Sequence, residues 1–172
     1  MQILGITGWS GSGKTTLVVQ LVPELVRRGL TVSTIKHAHH DFDVDQPGKD
    51  SYQHRAAGAK EVVVASSRRF ALMHELRGAR EPTLHELIAR MASVDLVLVE
   101  GYKRDSHEKI EVYRASVGKP LLSTGDASFV AIASDSPVPG AKLPLLPLER
   151  PEEIAAFIVR HCGLATVRSA TV

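Results

Sequence analysis

Apolar and polar positions along this chain switch between two periods, and the switches mark out a succession of strands and helices. Residues 2–7 (QILGIT) form a short apolar run halted by Gly8, the pattern of a buried strand. From Lys14 to Arg28 the pairs Leu17/Val18, Leu21/Val22 and Leu25/Val26 recur at helical spacing, with Gly29 as a natural stop. Pro23 falls inside that pattern and predicts a kink or a break into two shorter helices. LTVSTIK (30–36) is rich in β-branched residues and predicts a second strand. Residues 37–50 have no apolar period and carry Pro47-Gly48, which predicts a loop. A short helix is expected from about Asp50 to Ala57, then strands at 61–66 and 69–74. Thr83 with Glu86 three residues on is the capping-box signature of a helix through LHELIARM.

VDLVLVEG (94–101) is the strongest strand signal, nearly continuous in apolar residues, as suits a parallel strand covered on both faces. KIEVYRA (109–115) alternates and reads as a strand, and FVAIAS (129–134) is another. PEEIAAFIVRH (151–161) opens with Pro and acids and closes with Arg and His, matching a helix dipole at both ends. Strands alternating with helices predict an α/β domain with a mostly parallel sheet. Neither a repeat nor a linker interrupts the pattern. A chain of 172 residues then suits a single domain over 1–163, with 164–172 a flexible tail.

Composition changes this picture little. Hydrophobic residues at 44% and charged residues at 23% are ordinary for a globular protein. A net charge of +2 from scattered basic residues argues against nucleic-acid or membrane binding. No run approaches the about 18 apolar residues of a membrane span and no signal peptide is evident, so a cytoplasmic protein is expected. Cys162 stands alone, which rules out an intramolecular disulfide and reads as a small buried apolar residue.

The chemistry begins at Gly8-Trp9-Ser10-Gly11-Ser12-Gly13-Lys14-Thr15, which fits G-x-x-x-x-G-K-[ST] between a predicted strand and a predicted helix. Glycines let successive N–H groups turn toward one anion, and the helix start adds its unpaired amides. Gly8, Ser10, Gly11, Ser12, Gly13, Lys14 and Thr15 are therefore nucleotide-binding candidates in a three-layer P-loop NTPase fold. Lys14 serves the β- and γ-phosphates, and Thr15 is a hard oxygen ligand for Mg²⁺. Such sites use a second carboxylate at a strand end. Glu100 is the candidate there, holding Mg²⁺ through water or orienting an attacking water, against a plain solvated strand end; Asp95 lies at the wrong end of its strand.

His37, His39, His40, Asp41, Asp43 and Asp45 crowd into nine positions after the second strand, where the carboxyl ends of strands surround ligands in such folds. Three readings stay open: a hydrated loop, a transition-metal site of imidazole and carboxylate, and a switch loop. The third is favoured, with Asp43 or Asp45 positioning water or contacting Mg²⁺ and Lys36 or His37 near phosphate. Lys49 and Asp50, with His54 and Arg55, follow as candidate contacts on the next helix.

Together GITGWSGSGKTTL, KHAHHDFDVDQPGKDSYQHRAAGA and DLVLVEGYK, in this order and spacing, closely resemble the molybdopterin-guanine dinucleotide biosynthesis protein B family from Ile3 to about Ser134. The resemblance implies a P-loop fold, GTP as ligand with Mg²⁺, weak GTP hydrolysis and a homodimer. It also implies a supporting role when a separate MobA-type nucleotidyltransferase joins GMP to molybdopterin, itself a candidate ligand. Carried over by motif, residues 11–16, Thr16 included, bind phosphates, Lys14, Asp43, Asp45 and Glu100 form the catalytic set, and Glu100 sits on the Mg²⁺ side. The guanine tetrad N-K-x-D is absent, and Asp135 is the best-placed carboxylate for the guanine edge, against an ordinary loop Asp. KIEVYRA is a candidate edge strand for the dimer, and Arg55 and Arg104 are candidate arginine fingers. Two alternatives compete: a small-molecule kinase with a lid at Arg68, Arg69, Arg77 and Arg80, and a delivery module without turnover.

Overall fold

In chain order the elements are β1 (Gln2–Thr7), α1 (Lys14–Val26), β2 (Val32–Lys36), α2 (Asp50–Ala56), β3 (Glu61–Ala65), β4 (Phe70–His74), α3 (Leu84–Ile88), β5 (Leu96–Glu100), β6 (Lys109–Tyr113), β7 (Phe129–Ser134), β8 (Leu145–Pro147) and α4 (Pro151–His161). They come from a computed structural model that describes residues 1–38 and 42–166. Two compact units divide the chain, Met1–His37 with Ala92–Val172, and Ala38–Met91.

The first unit is built on a six-stranded sheet in the order β2-β5-β1-β6-β7-β8, with every neighbouring pair parallel. The expected α/β class, a mostly parallel sheet flanked by helices, is therefore what forms. Every residue of β5 is buried, as its unbroken apolar run requires. Leu4 and Ile6 of β1, Leu17, Leu21 and Leu25 of α1, and Ile154 and Ile158 of α4 join it in one core. Each such side chain contributes about 1.5–3 kcal/mol relative to an exposed one. The register aligns Ile6 and Lys36 with Glu100, so the carboxyl ends of β1, β2 and β5 finish level.

Three local features differ from the sequence pattern. Helix α1 runs unbroken through Pro23. Pro23 and Val19 both lie on its exposed side, where water can serve the Val19 carbonyl that the missing N–H leaves unpaired. Strand β6 is not an edge strand: it sits between β1 and β7. Its alternation misleads because Lys109 and Glu111, both 0% exposed, are buried with their polar ends satisfied. Lys109 Nζ donates to the Asp105 carbonyl and to Ser128 Oγ (2.8 Å), while the Glu111 carboxylate accepts from the N–H groups of Leu122 (2.8 Å) and Ser123 (2.9 Å). The third feature, β8, is a three-residue edge strand ending on Pro147, which prolines permit only at a sheet edge.

No helix covers the connection from β5 to β6; residues 101–108 cross in its place. Gly5 makes room, since a Cβ there would lie 2.6 Å from His107 Nε2 and 2.7 Å from Lys109 Cβ. Cys162 is a free, half-buried thiol whose pKa is pushed up by burial and then by Glu108.

The second unit holds an antiparallel hairpin, β3 with β4, in which Val63 faces Leu72 and Ala65 faces Phe70. Helix α2 packs on β3. Helix α3 begins with the expected capping box, Thr83 Oγ1 accepting from Glu86 N and the Glu86 carboxylate accepting from Thr83 N. It stops at Ile88, shorter than the LHELIARM pattern suggests.

Candidate functional site

At the end of β1 the chain turns through residues 8–13 and enters α1 at Lys14. Gly8 is indispensable to that turn: its φ is 155°, and a Cβ there would strike the Val112 carbonyl and come within 2.7 Å of Ser12 Oγ. Ser12 is buried, and its hydroxyl has no hydrogen-bond partner among the described residues. The Trp9 carbonyl accepts from Ser12 N (3.2 Å) and from Lys14 Nζ (2.9 Å), so the loop holds its own lysine. Burial first, then Lys103 and Lys36, pull the Lys14 pKa below its ordinary value, against the attraction of Glu100. An ammonium that is partly desolvated and crowded by like charges gains most from an incoming anion. Ser10, Gly11, Thr15 and Thr16 are exposed around the same turn.

Glu100, at the carboxyl end of β5, meets this loop. Thr15 Oγ1 donates to Glu100 Oε1 at 2.6 Å, and Lys36 Nζ stands 3.8 Å from the same oxygen. Two hard oxygens, a hydroxyl and a carboxylate, thus share one point, a donor set that fits Mg²⁺ completed by phosphate and water. His37 continues the strand by donating its N–H to the Glu100 carbonyl (3.0 Å), and its ring lies 4.6 Å from that of Tyr102.

Two further basic residues reach the loop that the motif alone did not single out. Arg114 Nε donates to the Ser12 carbonyl (3.2 Å), and its Nη1 donates to Asp135 Oδ2 (2.6 Å). Glu149 lies 3.7 Å from its remaining nitrogen. Asp135, expected near a guanine edge, is therefore engaged by Arg114, with its second oxygen accepting from Ser136 Oγ at 3.2 Å. Lys103 Nζ sits 4.6 Å from the centre of the Trp9 ring. The available signal was positional. Arg114 directly follows strand 109–113, and Lys103 lies three residues beyond Glu100, so both leave carboxyl ends of strands.

In the unit Ala38–Met91 the acidic loop does something the sequence did not suggest. Arg55 Nη2 donates to Asp43 (2.6 Å) and Asp45 (2.7 Å), and its Nη1 donates to Glu75 (3.3 Å). The two aspartates and a candidate arginine finger are thus locked together. Lys49 caps α2 through its backbone, without a side-chain hydrogen bond, and Asp50 occupies the first turn; both are exposed. His39 and His40, with Asp41, lie outside the described residues. Among the described residues no three His, Cys, Asp or Glu side chains converge as a metal cluster. Of the arginines considered for a kinase lid, Arg77 is bound to the carbonyls of Arg55 (2.8 Å) and Ala59 (3.1 Å), and Arg80 to Glu86 (2.8 and 2.5 Å). No described helix is long and apolar enough to cross a membrane.

Comparison with known proteins gives this geometry its context. Residues 3–135 match the model of the family described as MobB, molybdopterin guanine dinucleotide synthesis protein B. The chain is 44% identical to the molybdopterin-guanine dinucleotide biosynthesis adapter protein of Escherichia coli K12, over 91% of each chain. It is 42% identical to the protein of the same name from Haemophilus influenzae, over 91% of this chain and 86% of that one. A crystal structure of a MobB homologue from Bacillus stearothermophilus superposes with a TM-score of 0.71 at 25% identity, covering 96% of this chain and all of that one. Sequence and fold agree, and the chain belongs to the molybdopterin guanine dinucleotide synthesis protein B family.

Proposed function

We propose that this protein is a GTP-binding adapter that supports the attachment of GMP to molybdopterin, acting on a MobA-type nucleotidyltransferase and turning GTP over slowly. The observation that carries the nucleotide part is the contact of Thr15 with Glu100 beside Lys14, which gathers a hydroxyl, a carboxylate and an ammonium at one helix start. The role in molybdenum cofactor synthesis follows from relatives named as adapter proteins of that process.

The backbone N–H groups of residues 11–16 hold the phosphates, and Lys14 moves from the Trp9 carbonyl onto the β- and γ-phosphates. Thr15 and Glu100 hold Mg²⁺, which supplies neutralisation of charge developing on the phosphates. Lys36, 3.8 Å from Glu100, adds positive charge at the same end. The Arg55 guanidinium is held by Asp43, Asp45 and Glu75, and slow turnover is consistent with a candidate finger engaged in this way. The name adapter favours a protein whose nucleotide state, more than its turnover, is what the partner senses.

Calorimetry with GTP and ATP in Mg²⁺, on wild type and Lys14→Ala, tests this. A GTP preference lost in the variant supports it; equal or better ATP binding removes the guanine part and brings a kinase forward. Glu100→Gln separates the two adapter versions. Full support of the nucleotidyltransferase by that variant sinks a hydrolysis cycle and leaves a delivery module.

A further inference from the structure

The segment after Glu100 is built to return toward the phosphate loop. Gly101 and Tyr102 both have positive φ, 99° and 46°, the second a conformation that bulky L-residues rarely hold. The ring of Tyr102 packs on His37, and a Cβ on Gly101 would come within 3.0 Å of His37 Cβ. This double turn brings Lys103 back over the loop, with Nζ 4.6 Å from the Trp9 ring centre. Trp9 is itself fixed, its Nε1 donating to the Pro120 carbonyl at 2.8 Å. Two ammonium groups therefore meet at one residue, Lys14 on the Trp9 carbonyl and Lys103 on the Trp9 ring.

Two ammonium groups held on one residue repel each other. Lys36 adds a third ammonium at the same end, 3.8 Å from Glu100 Oε1. An exposed cation–π contact is too weak to explain gathering like charges by itself. Convergent ammonium groups on a glycine-rich turn at a helix start suit a polyanion, which would remove the repulsion as it binds. We propose that Lys103 is a second phosphate-binding lysine of the nucleotide site, parked on Trp9 and transferred to the outer phosphates when a nucleoside polyphosphate enters. The outer phosphates are assigned because Lys14, which shares Trp9 with it, serves the β- and γ-positions. The assignment rests on the nucleotide-binding reading given above.

Trp9 is the only tryptophan of the chain, so its fluorescence reports on Lys103 directly. Wild type, Lys103→Met, Lys103→Arg and Lys14→Ala are titrated with GTP and GMP in Mg²⁺ by calorimetry and by Trp9 emission. Met keeps the apolar stem and removes the charge; circular dichroism confirms the fold. Lys103→Met is expected to bind GTP roughly 10- to 100-fold more weakly, to lose less for GMP, and to lose the emission change seen in wild type. Lys103→Arg restores GTP binding to within a few-fold. Wild-type GTP affinity and an intact emission change in Lys103→Met, while Lys14→Ala fails to bind, overturn the Lys103 assignment and leave the nucleotide site standing. Equal weakening for GTP and GMP overturns the placement on the outer phosphates. Wild type that binds no nucleoside triphosphate overturns both.

Discussion

Asp135 is joined to the loop at residues 8–13 through a single arginine. Asp135 gives one carboxylate oxygen to Arg114 and the other to the Ser136 hydroxyl. Arg114 in turn grips the Ser12 carbonyl of the phosphate loop. The chain of bonds ties Asp135 to the loop through Arg114, so on the proposed nucleotide-binding reading it would act as a positioning residue. Asp135→Asn should then weaken GTP and ATP binding together, each by about tenfold, the scale of one charge-assisted hydrogen bond. Arg114→Met should do the same, and combining the two should add little, because both remove one coupled interaction. Competition calorimetry with the two nucleotides checks this. A selective loss of GTP alone in Asp135→Asn would return the residue to the guanine edge.

Among the elements, β6 and α3 show what buried and exposed ionisable groups each do for stability. Glu111 in β6 caps the backbone of Leu122 and Ser123 from a fully buried position. Glu111→Ala would strand both N–H groups and should cost about 2–5 kcal/mol, read by urea denaturation. Helix α3 instead depends on an exposed cap. Arg80, then the Thr83 backbone and hydroxyl, lower the Glu86 pKa from 4.5 to about 2. A depressed carboxylate pKa stabilises the fold above the unfolded value, and that stability is lost as pH falls through the folded value. The difference in melting temperature between wild type and Glu86→Gln should therefore be complete at neutral pH and shrink between about pH 4.5 and pH 2. A difference that stays constant across that window would mean the charge plays no part. The cap was legible in the sequence because its residues lie three apart and act locally. The burial of β6 was not, since alternation looks the same whether its polar residues meet water or buried partners.

Across the whole chain, legibility follows sequence distance. Lys14 and Thr15 follow from a contiguous motif, and Glu100 from the end of an unbroken apolar strand. Arg114 reaches Ser12 only because β6 lies beside β1, and no local pattern states strand order. The same strand order removes β6 as a dimer edge and leaves the question of a second copy to other surfaces. The β3–β4 hairpin offers one. Val63 and Leu72 pair on one face, with Phe70 beside them 76% exposed. A two-stranded hairpin is marginal in water by itself, and an apolar face of this kind invites a partner strand or sheet. A second copy of the chain paired across a two-fold axis, the commonest assembly, would cover this face. Sedimentation over a range of concentrations should find wild type dimeric and Phe70→Glu/Leu72→Glu monomeric. Placing two charges on a buried apolar contact should outweigh its remaining area. GTP affinity gives the second readout: these residues lie outside the phosphate loop, so a folded monomer should still bind nucleotide. A double variant that stays dimeric would move the interface away from the hairpin, and a wild type that stays monomeric at every concentration would remove the dimer.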